Sequence, residues 1–283
     1  MRIGVDSVRK IKMTKVIAKA DFNTNNSNLF VLIGADRFSY FISTANNKVV
    51  IQASQRLDNE PLTKIIQKDL SLNNNFEQVK IGFLSPYTTL VPDIIYNEDA
   101  GTTYLENSFR IPHQHYLLTD NLPSIKCQNV YLAPIETYNF FQNKFSNVQF
   151  HHALTTLLLA CQEQAIQFQE PSVYVNVMGN QLRVSAFNRE NLLLTNTYEF
   201  KTAKDFMYFV LLVFDQLGLN VEQTKLFLSG EIMKTSEIHN LLYRYIRNIN
   251  FLKRISAFEF DAAFDQQPDH FHFDLYSSYL AKE

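Results

Sequence analysis

The chain has no tryptophan and only two cysteines among its 283 residues. Cys127 and Cys161 stand far apart, without metal or redox spacing, which argues against a disulfide scaffold and for buried thiols in a reducing compartment. An excess of one charge is missing too. The 26 Lys and Arg face 28 Asp and Glu, a formal net charge of −2, so the totals indicate no polyanion partner. No apolar run reaches the roughly 18 residues that span a bilayer. The longest candidate, around Leu154 to Cys161, is too short, and the start lacks the charged, apolar and small order of a signal peptide. These absences favour a cytoplasmic protein with no membrane span and no nucleic-acid partner.

What is present points to a fold. With 46% hydrophobic and 19% charged residues, the composition is that of a globular protein with a sizeable core. The length suits one large or two medium domains. Leu29 to Leu57 reads as a three-stranded meander, because short runs rich in Val, Ile, Phe and Tyr are cut by Gly34 and by Asn46 and Asn47. Val173 to Lys201 repeats that order, with Gly179 in its first turn and Asn188 to Asn191 in its second. After each meander come a helical segment and an apolar strand ending alike, Phe83-Leu84-Ser85 and Phe227-Leu228-Ser229. Asn47 to Asn191 and Ser85 to Ser229 are both intervals of 144 residues, so one gapless register describes an internal duplication.

Residues 1–27 form a basic and polar extension with a short edge segment from Lys15 to Phe22. The first half then covers 28–145 and the second 146–283. Leu62, Ile65, Ile66 and Leu70 fall at helical spacing behind Pro61. Val79 to Leu84 is a strand, and Pro86 and Pro92 keep the next segment extended or turned. A short helix within Asp93 to Asn107 and strands at His115 to Thr119 and Asn129 to Leu132 follow. His151 to Phe168 is a helix that links the halves. Ala203 to Leu217 is apolar on most sides, hence a buried helix, and Gly218 stops it. Ile238 to Phe251 reads as a further helix, with Arg244 and Arg247 outward and Lys253 and Arg254 terminal.

Meander, helix and strand, given twice around a linking helix, resemble the actin, sugar-kinase and heat-shock-chaperone superfamily of two-lobed nucleotide-binding proteins. Gly34-Ala35-Asp36-Arg37-Phe38-Ser39-Tyr40-Phe41, then Tyr87-Thr88-Thr89-Leu90-Val91-Pro92 and Tyr96, carry a closer resemblance. It is to domain-of-unknown-function family 3822, an uncharacterised bacterial family with an actin-like ATPase fold. The resemblance implies an α/β protein with two related ribonuclease H-like lobes, each a mixed sheet with helices, facing each other across a cleft. In active superfamily members each lobe's first hairpin carries an Asp-x-Gly turn. Its backbone N–H groups approach phosphate oxygens, and its carboxylate holds Mg²⁺ or positions water.

Carried onto this chain, the resemblance gives Gly34, Ala35 and Asp36 as candidate cleft positions in the first turn, and Asn176, Gly179 and Asn180 in the second. Ser229, Gly230 and Glu231 stand at the turn that meets adenosine. Each departs from the active pattern. Leu32 replaces the first carboxylate and Ala35 the hydroxyl, Asn176 replaces the second acid, Met178 crowds its turn, and Glu231 replaces a glycine. Asp36 could substitute as a metal ligand, but a hairpin Asp bonding its backbone is the plainer account.

Other constellations have plainer readings. His113-Gln114-His115, His151-His152 and His270-Phe271-His272 lack a third ligand at fixed spacing, although a His-x-His pair on a strand puts both rings on one face. Cys127 with His151 fits no nucleophile pattern. Arg244, Arg247, Lys253 and Arg254 read as a solvated face. The expectation is therefore a non-catalytic actin-like module with no cofactor and no metal, acting through an unknown protein partner or as a scaffold, with a homodimer allowed. The alternatives are an ATP-binding enzyme using non-standard cleft residues and a small-molecule or peptide sensor.

Overall fold

The computed structural model describes residues 14–18, 26–57 and 60–282. Most of the expected N-terminal extension, including its basic residues before Thr14, lies outside the described residues. These divide into two compact units. The first takes in the described residues of Ile11–Leu157, Ser256–Gln266 and Leu275–Glu283, and the second those of Leu158–Ile255 and Gln267–Asp274.

In the first unit, β-branched and aromatic residues on both faces build β1 (Thr14–Ile17), β2 (Ser27–Ile33), β3 (Arg37–Thr44) and β4 (Lys48–Arg56). Helix α1 (Leu62–Lys68) leads to β5 (Gln78–Phe83). A separate side sheet follows: β6 (Thr88–Pro92), then α2 (Gly101–Glu106), β7 (His115–Leu122), β8 (Cys127–Pro134) and α3 (Ile135–Lys144). The chain returns to the main sheet as β9 (Val148–His152), and α4 (Ala153–Ala165) carries it into the second unit. There it forms β10 (Ser172–Met178), β11 (Gln181–Asn188), β12 (Asn191–Glu199), α5 (Ala203–Gln216), β13 (Lys225–Gly230), α6 (Glu237–Leu242) and β14 (Asn248–Phe251). The tail adds β15 (Glu259–Phe260) to the first sheet and ends through α7 (Phe273–Tyr276).

The duplication is plain in the strand order. β4-β3-β2-β5-β9 and β12-β11-β10-β13-β14 run alike, three antiparallel strands followed by two parallel ones. Ile33 pairs with Phe38 and Val177 with Leu182, both 144 residues on. Even the irregularity repeats: the third strand bulges at Val50, opposite the Ile42–Ser43 step, in one copy and at Leu193, opposite Ala186–Phe187, in the other.

A single gapless register does not hold. Ile42 faces Ile51 whereas Ala186 faces Leu194, so the third strand has slipped to 143 through a shorter second turn. Ile33 faces Phe83 whereas Val177 faces Gly230, an interval of 147, so Ser85 and Ser229 are not equivalent. Turns and helix ends absorb such changes while the paired strands keep their faces.

Thr202 and Asp205 form a capping box at the start of α5, and Gly218, at φ +61, terminates it. The helix places Phe206, Val210 and Val213 in one buried cluster with Val173, Val175 and Val177 of β10, while Tyr208 on its other side is exposed. The expected helix from Ile238 to Phe251 is corrected. It ends at Leu242, and Asn248–Phe251 is a parallel strand beside β13, its two apolar residues reading equally as the end of a helix. The linking helix also begins later than expected, because His151 and His152 close β9.

In the first unit Phe30 stacks on Phe41 at 4.3 Å, and Phe258 and Tyr276 of the tail meet Phe41 edge-on. Beside them the buried Lys80 ammonium donates to the carbonyls of Tyr279 at 2.9 Å and Ala281 at 2.5 Å. Aromatic packing and a charge-assisted bond thus fix the chain's last turn on this sheet.

Candidate functional site

In the second unit Gly179 and Asn180 make the two-residue turn between β10 and β11, closed by the pair Met178 and Gln181. Gly179 has φ +60 while Asn180 is not left-handed, the arrangement of a II′ turn, which wants glycine first. The Gly179 N–H donates to Glu231 Oε2 at 3.0 Å. Gly230 makes this approach feasible. It has φ +80, and a Cβ there would stand 2.1 Å from the Val177 carbonyl oxygen. With glycine in place, the Glu231 N–H reaches the Val177 carbonyl at 2.8 Å, and the Gly230 N–H reaches that of His270 at 2.9 Å.

One layer below, the buried Asn176 donates from Nδ2 to Ser229 Oγ at 3.1 Å. Asn176, Gly179, Ser229, Gly230 and Glu231 therefore converge. Asn180 does not join them: it is exposed, and its carbonyl accepts from the Phe200 N–H at 2.9 Å. His270 joins instead, its Nε2 donating to the Ile232 carbonyl at 2.6 Å, and burial holds its pKa below the ordinary value, favouring the neutral ring. Arg183, opposite Asn176, is buried as well. Its Nε donates to Thr197 Oγ1 at 3.3 Å, while Nη1 has no hydrogen-bond partner among the described residues.

The first unit's turn is built differently. Ala35 and Asp36 are its central residues, so Gly179 corresponds to Ala35 and Met178 to Gly34. Gly34 is not left-handed; it is small because a Cβ would lie 3.2 Å from Arg37 Cγ and 3.4 Å from Leu84 Cβ. The exposed Asp36 carboxylate pairs with Arg37 at 3.3 Å and Arg56 at 3.7 Å, two cations where a bond to its own backbone was expected. Leu32 is 1% exposed and packs over Gly82, where a Cβ would stand 2.4 Å from Leu32 Cδ2 and 2.7 Å from His151 Nε2. The position of the superfamily acid is thus core.

Sequence reading missed a polar cluster at the start of α4. Asp120 of β7 accepts from the His152 N–H at 2.7 Å, Thr155 Oγ1 at 2.6 Å and Tyr131 Oη at 3.2 Å. The carboxylate therefore satisfies a helix N-terminus. Burial nevertheless pushes Asp120 up to about 6, the three donors only partly offsetting it. The cluster's members come from three separate segments, so no local motif announces it.

His113 and His270 to His272 are not in strands, which removes the shared face assumed for each His-x-His pair. Among the described residues no three His, Cys, Asp or Glu are placed to hold a metal. Among the described residues His151 has no hydrogen-bond partner on either ring nitrogen, so it makes no pair with Cys127. Arg247 pairs with Glu222 at 3.2 Å and Arg254 with Asp269 at 3.3 Å. No described helix is long and apolar enough to cross a membrane.

Comparison with known proteins supports the fold. A family profile described as Protein of unknown function (DUF3822) matches residues 18–249. A Bacteroides thetaiotaomicron VPI-5482 protein with actin-like ATPase fold and unknown function superimposes with a TM-score of 0.73 at 19% identity, over 81% of this chain and 91% of that one. The PilM-PilN type IV pilus biogenesis complex contains a chain similar at TM-score 0.60 and 13% identity, over 89% of this chain and 98% of that one. No curated protein matches the sequence. At these identities the structural likeness establishes an actin-like ATPase fold.

Proposed function

The chain belongs to the DUF3822 family, and we propose that it acts by holding another protein rather than by hydrolysing ATP. One observation carries the reading. The turn N–H that would approach a phosphate in an active relative, that of Gly179, donates to the protein's own Glu231 carboxylate. A nucleotide would have to displace that carboxylate and then sit beside its negative charge.

The residues present do not fit Mg·ATP at the other positions either. Mg²⁺ needs hard oxygen ligands, usually carboxylates. Leu32 is buried hydrocarbon, and Asn176 is neutral and bonded to Ser229. Asp36 is an acid near the first turn, but two arginines already balance it. The partner half of the proposal draws on the PilM-PilN structure, a complex of a similarly folded chain with another protein.

A second reading has one observation in its favour. The buried Arg183, opposite Asn176, has an Nη1 without a hydrogen-bond partner among the described residues, and a guanidinium could take an anion without any metal, although the Asp274 carboxylate already acts on it. A thermal-shift titration separates the two. No saturable rise in Tm is expected with Mg·ATP up to millimolar concentration, since a ligand of the folded state must raise Tm by mass action. A saturable, Mg²⁺-dependent rise with ATP and not with triphosphate would overturn the proposal. A metal-independent rise with both would favour the anion reading.

A further inference from the structure

The outer edge of the duplicated sheet is finished in one copy, and in the other no described strand covers it. In the first unit β4 is covered: β1 pairs with it antiparallel, Thr14 opposite Ser54 and Ile17 opposite Ile51, and β15 pairs alongside. The equivalent of β4 in the second unit is β12. By the shared pairing with the middle strand, Ile51 corresponds to Leu194 and Ser54 to Thr197. Among the described residues, β12 pairs with β11 and with no other strand.

The outer side of β12 is ready to bond. Thr195 and Ser185 are directly opposed with hydroxyls 2.9 Å apart, as in the narrow, non-hydrogen-bonded pairs of an antiparallel ladder. The backbone N–H and C=O of Thr195 therefore face away from β11. Thr197, two residues on, shows the same: its N–H is taken by the neighbouring Asn196 side chain at 2.8 Å, not by the ladder. Nine residues of edge strand hold no proline, lysine or arginine, and only the bulge at Leu193 and the terminal Glu199 guard it against pairing. Beside this edge lies an aromatic step. Tyr198 of β12 stacks on Phe209 of α5 at 4.5 Å, and Phe209 meets Tyr208, which is 58% exposed.

We propose that the Leu194–Thr197 edge of β12 is a docking site for an extended segment of a partner protein, added antiparallel as a further strand. The first copy supplies the argument for the occupant, because a four-residue extended segment, Thr-Lys-Val-Ile, fills the equivalent edge there. Main-chain bonds to the Thr195 N–H and carbonyl and to the Thr197 carbonyl give the affinity, and alternate apolar side chains of the incoming strand rest on Tyr208 and Phe209. The proposal deepens the partner-binding reading and uses nothing of its nucleotide half.

The test is selection of random decapeptides displayed on phage against the full chain. Enriched peptides should alternate apolar and polar residues and slow hydrogen exchange at Thr195. The variant Thr195→Pro removes one outward N–H and leaves the ladder to β11 intact, so its binding should fall at least 10-fold. Should that variant misfold, Tyr208→Ala leaves β12 untouched and should weaken binding by about 3-fold or more. Failure to enrich any peptide, or equal binding to the folded variants, would overturn the proposal. So would a dimer of the chain that Thr195→Pro makes monomeric, since that assigns the edge to a second copy. None of these outcomes bears on the ATP titration, whose failure would leave the edge standing.

Discussion

The two units share a five-strand frame and differ at its first turn. In the second unit an acid just past the neighbouring strand β13 reaches the turn: Glu231 accepts the Gly179 N–H. In the first unit the turn's own acid points to solvent, where Arg37 and Arg56 meet Asp36. One carboxylate organises backbone and the other does not. The duplication has kept strand order, direction and even the bulge position, all fixed by packing on both faces. It has let go of the turns, where a change alters chemistry without unfolding the sheet.

The comparison can be broken first at Leu32. If the strand leading into the first turn is core, Leu32→Asp buries an unpaired carboxylate and should cost on the order of 4 kcal/mol or more, read from urea denaturation. The reciprocal change in the other unit, Asn176→Asp, should be milder, because Ser229 Oγ can turn to donate to the new acid. Equal costs would remove the distinction drawn between the two strands. The double variant should still lack Mg²⁺-dependent ATP hydrolysis, since Ala35, Met178 and Glu231 remain.

A pH series sharpens the contrast, because the Asp120 cluster belongs to the first unit alone. Asp120 is raised by burial from 3.8 to about 6. The folded state therefore holds this proton more tightly, and the stability it brings is fully present below about pH 4 and lost as pH rises through 6. The shift corresponds to about 3 kcal/mol. Asp120→Asn should flatten that part of the Tm profile between pH 4 and 7. An unchanged profile would mean that the carboxylate is better solvated than its burial implies.

Glu231→Ala against Asp36→Ala makes the smallest and most pointed comparison. Losing a charge-assisted bond to a turn N–H should cost about 1–2 kcal/mol, whereas an exposed ion pair contributes about 0–1 kcal/mol. Similar values for the two would end the claim that the second turn has its own internal anion.

The meanders were legible in the sequence because period-two alternation and turn residues are local. Asn248–Phe251 was not, since a short strand joined to a helix carries too little pattern to betray a change of period. The candidate site was half legible. Gly179, Gly230 and Glu231 could be named from the resemblance, but not the hydrogen bond across 52 residues that joins the turn to the acid. Asp120 lies 32 residues from His152, and only the return of β9 to the main sheet brings them together. The slip from 144 to 147 in the fourth strand shows the same limit, since register there follows backbone pairing and not residue identity.

The central claim is that the Gly179 N–H serves Glu231 and not a nucleotide. The most direct measurement is the Gly179 amide resonance, followed by NMR while Mg·ATP is added to the full chain. The account predicts a resonance that stays in place to millimolar nucleotide in the wild type and moves on Glu231→Ala, when the internal acceptor is removed. A saturable shift of the wild-type Gly179 amide with Mg·ATP, reversed by chelating the metal, would contradict it.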